Sequence, residues 1–162
     1  MTTLIIAIIL TLGYNLVACV KNRGILPSLS DSFYVFGGKD KRGYVFYLYL
    51  AAMAFLLIVP MMDVTPEKWQ FPAFFGVVLL AFVGVAADFA PEGMERTVHL
   101  ACALASAVLC LAWCSIIGCW DVALRSMGAA TVIAYINPEG KTYWLEMGCF
   151  AAVFVTLMKL LT

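Results

Sequence analysis

The sequence predicts an all-α fold: a polytopic integral membrane helix bundle of six transmembrane helices, in one domain covering residues 1–162. Three observations predict it. Of the 162 residues, 64% are hydrophobic and 12% charged, and mean hydropathy is +0.98, whereas a soluble domain carries roughly 25% charged residues. A soluble globule of this size leaves about a third of its chain area exposed and could not hide so much apolar surface. The apolar residues also fall into six stretches close to the roughly 20 residues that cross a 30 Å hydrocarbon core. Finally, Tyr44, Trp69, Trp120, Tyr143 and Trp144 sit near the ends of those stretches, as an interfacial aromatic belt requires. Ten Lys and Arg balance ten Asp and Glu, so no basic excess draws polyanions, and nucleic acid is excluded as a partner.

The first segment runs from about Leu4 to Val20 and is closed by Lys21, Asn22 and Arg23. Within it, Leu16-Val17-Ala18-Cys19 has the form of a lipoprotein cleavage box. The start Met1-Thr2-Thr3 lacks the positive n-region of such a signal, so the segment reads as an uncleaved span. Loop 1 follows, 23 residues from Lys21 to Gly43. It mixes turn formers (Gly24, Pro27, Gly37, Gly38) with an apolar-aromatic middle (Ile25, Leu26, Phe33, Tyr34, Phe36). A loop this long in a compact protein is usually functional or disordered, and its aromatic content argues for packing at the bundle mouth or the lipid interface.

The second segment covers about Tyr44 to Met62, with Pro60 near its end. The third covers about Phe71 to Ala87, with Pro72 suited to a first turn. A turn at Ala90-Pro91-Glu92-Gly93 leads to the fourth, about Thr97 to Ile117, which holds no charge inside. The fifth, about Trp120 to Ile136, is the weakest. It carries Asp121 and Arg125 at i,i+4 spacing, able to pair on one face, and Gly128 in its middle. If it lay on the surface, five spans would remain. The sixth covers about Tyr143 to Leu161, and Lys159 snorkels at its far end. Ala101, Ala105 and Ser106 on the fourth segment, and Gly128-Ala129-Ala130 on the fifth, permit close helix contact.

Lys21, Arg23, Lys39, Lys41, Arg42, Arg96 and Lys141 fall on the loop 1 side, against Lys68, Arg125 and Lys159 on the other. The positive-inside rule then puts loop 1 in the cytoplasm and both termini outside. Short loops and the lack of a eukaryotic processing signal favour a bacterial or phage-encoded inner-membrane protein. The cysteines (Cys19, Cys102, Cys110, Cys114, Cys119, Cys149) form no C-x-x-C pair and lie mostly inside helices, so they read as small packing residues. With His99 the single histidine, no tetrahedral metal set is expected, and no cofactor motif is present.

Charged and polar side chains at membrane depth are costly and therefore candidates for function. Asp88, Glu92, Glu95, Arg96 and His99 cluster within twelve residues. Glu95 is one turn before His99, on the same helix face, where a carboxylate could hold the imidazole tautomer. Ser28, Ser30 and Asp31 in loop 1 are expected on the same membrane side. Together Ser28, Ser30, Asp31, Asp88, Glu92, Glu95 and His99 would form a small polar pocket between loop 1 and the turn joining the third and fourth spans. Glu146 reads as a helix cap or a partner for Lys141, with the lining of a cavity as the alternative.

At two places the chain resembles a known family. Leu26-Pro27-Ser28-Leu29-Ser30-Asp31-Ser32 resembles the P-x-I-S-D-T segment in the first loop of the damage-regulated autophagy modulator family. That superfamily also holds GPI-anchor lipid-remodelling proteins and yeast regulators of plasma-membrane lipid asymmetry. Val98-His99, followed by Ala101, Ala105 and Ser106, resembles the family's V-H-x-x-G-A segment. Leu29 and Ser32 stand where the family has Ile and Thr, and an acidic stretch precedes His99. The resemblance covers about 35 residues and implies a compact six-helix bundle that interacts with lipid headgroups, with Pro27, Ser30, Asp31 and His99 as the positions carried over. It also implies a loop 1 outside the cytoplasm, opposite to the charge count.

The expected function is therefore non-enzymatic interaction with membrane lipid headgroups at this pocket. The alternative is a membrane-embedded lipid hydrolase or acyltransferase with His99 as base, and Ser30 or a carboxylate-activated water as nucleophile. No G-x-S-x-G elbow is present. A transporter is disfavoured, because internal repeats and midplane ionisable chains are missing. A second copy of the chain, or another membrane protein that it accompanies, are the remaining expected partners.

Overall fold

A computed structural model describes residues 1–38, 43–90 and 92–162. Lys39, Lys41 and Arg42 of the charge count and Pro91 of the expected turn lie outside the described residues. The elements are α1 (Thr2–Asn22), a 3-10 turn (Leu29–Asp31), α2 (Ser32–Val35), α3 (Tyr44–Val64), α4 (Glu67–Val85), α5 (Met94–Ile116), α6 (Trp120–Ile136), a second 3-10 turn (Pro138–Gly140) and α7 (Lys141–Leu161). No strand occurs among the described residues. The fold is the all-α helical membrane bundle expected.

Five of these stretches are long and apolar enough to cross a membrane: α1, α3, α4, α5 and Pro138–Leu161. The exception is α6, the weakest segment in sequence. Its 17 residues reach about 26 Å at 1.5 Å per residue, short of a 30 Å core. It packs along α7 rather than lying apart from the bundle.

Local chemistry sets the helix ends. α1 stops where Arg23 turns left-handed at φ 61° and the Gly24 amide reaches back to the Cys19 carbonyl, a C-terminal motif that satisfies carbonyls left without partners. α4 begins at Glu67, four residues before the expected Phe71, because Pro66 opens the turn and the Glu67 carboxylate suits the positive helix end. Pro72 accordingly lies in the second turn, not the first. Asp121 is able, by its spacing, to pair with Arg125 on its own helix. It reaches Lys159 of α7 instead, at 3.7 Å, because the antiparallel course of the two helices puts the start of α6 beside the end of α7.

Two seams are tight. A Cβ added to Gly148 on α7 would stand 2.5 Å from Ala130 Cβ on α6, and one on Gly76 of α4 would stand 2.9 Å from Leu109 Cβ on α5. Neither approach is available to a larger residue. Gly128, the more conspicuous glycine in sequence, has nothing within 4 Å of its would-be Cβ. Ser106 Oγ also donates to the Gly76 carbonyl at 2.7 Å, a polar link of the kind that holds helices together in lipid. Loop 1 folds onto the bundle mouth, burying Leu26, Leu29, Phe33 and Phe36. This is the packing its aromatic content suggested. All six cysteines are free, three of them buried.

Candidate functional site

The site begins with a short turn in loop 1. Ser28 precedes the 3-10 turn and caps it: its Oγ accepts from the Asp31 amide, while the Asp31 carboxylate accepts from the Ser28 amide at 2.9 Å and from the Ser28 hydroxyl at 2.8 Å. This reciprocal capping satisfies the donors that a helix start leaves open. Two bonds to α7 fix the turn from outside. Glu146 Oε2 accepts from the Leu29 amide at 2.6 Å, and the Tyr143 amide donates to the Pro27 carbonyl at 3.1 Å. Ser30, 5% exposed, is thereby presented inward.

His99 meets it from α5. Its ring is 3% exposed and stacks on Phe89 with centroids 4.7 Å apart. Nδ1 faces two carbonyls at the end of α4, Val83 at 3.1 Å and Ala86 at 3.0 Å. A carbonyl can only accept, so the neutral imidazole carries its proton on Nδ1. Nε2 is left as an acceptor, and it faces Ser30 Oγ at 2.9 Å. The serine hydroxyl therefore donates to the ring.

Ser28, Ser30, Asp31, His99 and Glu146 line one end of a cavity of about 670 Å³. From there the cavity runs between α3, α4, α5 and α7 past Leu57, Met61, Val77, Leu111 and Val153. His99 to Leu111 is twelve residues of α5, about 18 Å of helix. Several of the lining residues, Leu100, Leu104, Val108 and Leu145, are also exposed on the outside of the bundle. They belong to α5 and α7, so the cavity opens sideways between those two helices.

Four of the seven expected site residues thus come together: Ser28, Ser30, Asp31 and His99. The other three do not line the cavity. Asp88 accepts from the Tyr34 hydroxyl at 3.0 Å, and the same tyrosine oxygen accepts from the Ala90 amide at 2.7 Å. Glu92 and Glu95 are exposed around the start of α5. The tautomer-holding role assigned to Glu95 belongs to the Val83 and Ala86 carbonyls, because α4 ends beside the imidazole and leaves those acceptors free of helical partners. Glu146, expected first as a cap, is instead a wall of the cavity and an anchor for loop 1. Its sequence signal was the lack of any cation three or four residues away on its helix, where Thr142, Tyr143, Cys149 and Phe150 stand.

Chemically, the polar end offers two carboxylates, two hydroxyls and an imidazole, at the head of a mostly apolar cavity. Both imidazole nitrogens are engaged, which leaves neither for a metal ion. No family model, no curated protein and no solved structure matches this chain.

Proposed function

We propose that the chain binds a single-chain amphiphile taken from the membrane, with its head at Ser28, Ser30, Asp31, His99 and Glu146 and its tail along α5. One observation carries this reading: one cavity holds polar residues at its loop 1 end, is apolar along the rest of its length, and is bordered at its side by the exposed Leu104 and Val108. Its volume of about 670 Å³ lies within the roughly 300–1,000 Å³ of small-molecule sites. The basic residues on the loop 1 side support a cytoplasmic loop 1, so the head would sit in the cytoplasmic leaflet of a bacterial or phage-encoded inner membrane.

Native mass spectrometry of the detergent-purified protein tests the proposal. A lipid adduct is expected on the wild-type chain. It should be lost in Ala107→Phe, which fills the cavity, and weakened in Asp31→Ala and His99→Ala. An adduct equally strong in all four proteins would overturn it.

A further inference from the structure

The contact between Ser30 and His99 is more than a binding site needs. We infer that Ser30 is a nucleophile and His99 its general base, acting on the ester of a single-chain amphiphile held in the cavity. The inference rests on the binding reading above and adds chemistry to it.

Nucleophilic serine catalysis needs a hydroxyl within reach of a base, and a third group that orients the base. Ser30 Oγ and His99 Nε2 are 2.9 Å apart. The orienting group is the pair of carbonyls that hold the Nδ1 proton, and their dipoles also favour the imidazolium that forms during reaction. The hydroxyl cannot drift away, because its turn is fixed by the Ser28–Asp31 cap and by the two bonds to α7.

Position within the cavity gives the substrate class. In an ester amphiphile the acyl carbonyl lies between head and tail. With the tail along α5 and the head among Asp31 and Glu146, that carbonyl arrives where the cavity changes from polar to apolar, at Ser30. Two carboxylates at the polar end favour a head that offers hydroxyl or ammonium donors, such as a monoacylglycerol or a zwitterionic lysolipid.

The chemistry closes on itself. Ser30 Oγ bonds to the acyl carbon as its proton passes to Nε2. The ester C–O bond then breaks, and the departing alcohol oxygen takes that proton. Water attacks the acyl-serine, gives a proton to Nε2, and the Ser30 oxygen recovers it as the acid leaves. The sum is ester plus water to fatty acid plus alcohol, with no other reactant.

An alkyl fluorophosphonate, incubated with the full-length detergent-purified protein, traps such a serine covalently. Peptide mass mapping should find one adduct, on Ser30, and it should be absent in Ser30→Ala. The labelling rate in His99→Ala should fall by about 100-fold or more, the usual size of a general-base contribution. Release of fatty acid from a monoacylglycerol should follow the same order. A hydrogen bond with only a structural role would give no adduct. Wild-type protein that carries its copurified lipid by native mass spectrometry and leaves Ser30 unlabelled would overturn the inference while the binding reading stands. Protein with neither lipid nor label would overturn both. Because the deciding result comes from the wild-type chain, it does not depend on how well either variant folds.

Discussion

The seams of α5 with α4 and of α7 with α6 are close-packed, whereas the two helices part from each other around the cavity. At the first two, glycine and small side chains let backbones approach until an added Cβ would collide. On the α5–α7 side, Leu104, Leu111, Phe150 and Val153 line open space instead. Both regions are apolar, so hydrophobicity does not separate them. In lipid, helix association depends on how closely backbones fit and on polar links between them, and the tight seams are the ones that hold Gly76 and Gly148. The bundle thus has two tight flanks with a gap between, bridged at one end by loop 1. That loop touches α5 through Ser30 and α7 through Leu29 and Pro27.

The contrast can be broken most forcefully at the tight flank. Gly148→Leu should push α7 from α6 and lower stability by about 3 kcal/mol, the upper part of the usual range for overpacking, read as a fall in the thermal unfolding midpoint in detergent. The same bulk on the gap side, in Ala107→Phe, should leave that midpoint nearly unchanged. A smaller effect is expected at the bridge. Glu146→Leu removes the acceptor of the Leu29 amide at a cost of about 1–2 kcal/mol. Hydrogen exchange at Leu29 should then accelerate about tenfold or more, while amides in the α4–α5 seam keep their protection.

The smallest effect sharpens the picture at the outer edge of loop 1. The Tyr34 hydroxyl is held above its ordinary value of 10.0, chiefly by partial burial and then by the neighbouring Asp88 carboxylate, against the lowering effect of the Ala90 amide. A phenol whose folded value is raised contributes stability that is intact below its unfolded value, and that is lost as pH rises through the folded one. Stability should therefore decline above about pH 10. Tyr34→Phe should make that decline shallower while costing less than about 1 kcal/mol at neutral pH, as paired pH-dependent melts would show.

Much of the fold is legible in the sequence, because span length and hydropathy act locally. Trp120–Ile136 matches its expected bounds, and the other helices differ by a few residues at their ends. Ser28, Ser30, Asp31 and His99 were identifiable as polar groups on one membrane side. Their convergence was not fully legible, because it depends on the Ser28–Asp31 cap and on the place where α4 ends. Glu95 was misjudged for that reason: helix spacing placed it on the face of His99, but the carbonyls of a different helix reach the ring. Glu146 was underrated because its partner, the Leu29 amide, is a backbone group 117 residues away, and side-chain patterns do not reveal backbone donors.

The bond between Leu29 and Glu146 also imposes an order of assembly. A chain emerging at roughly 5–20 residues per second releases its N-terminal parts first, so loop 1 leaves the ribosome on the order of ten seconds before the carboxylate that anchors it. During that interval Ser30 can meet His99 only after α5 has been made, and the Leu29 amide has no partner on α7 at all. A nascent chain stalled before α7 would therefore present an open loop and an unlined groove on α5 to the insertion machinery. α7, made after α5, is the helix that closes the first loop.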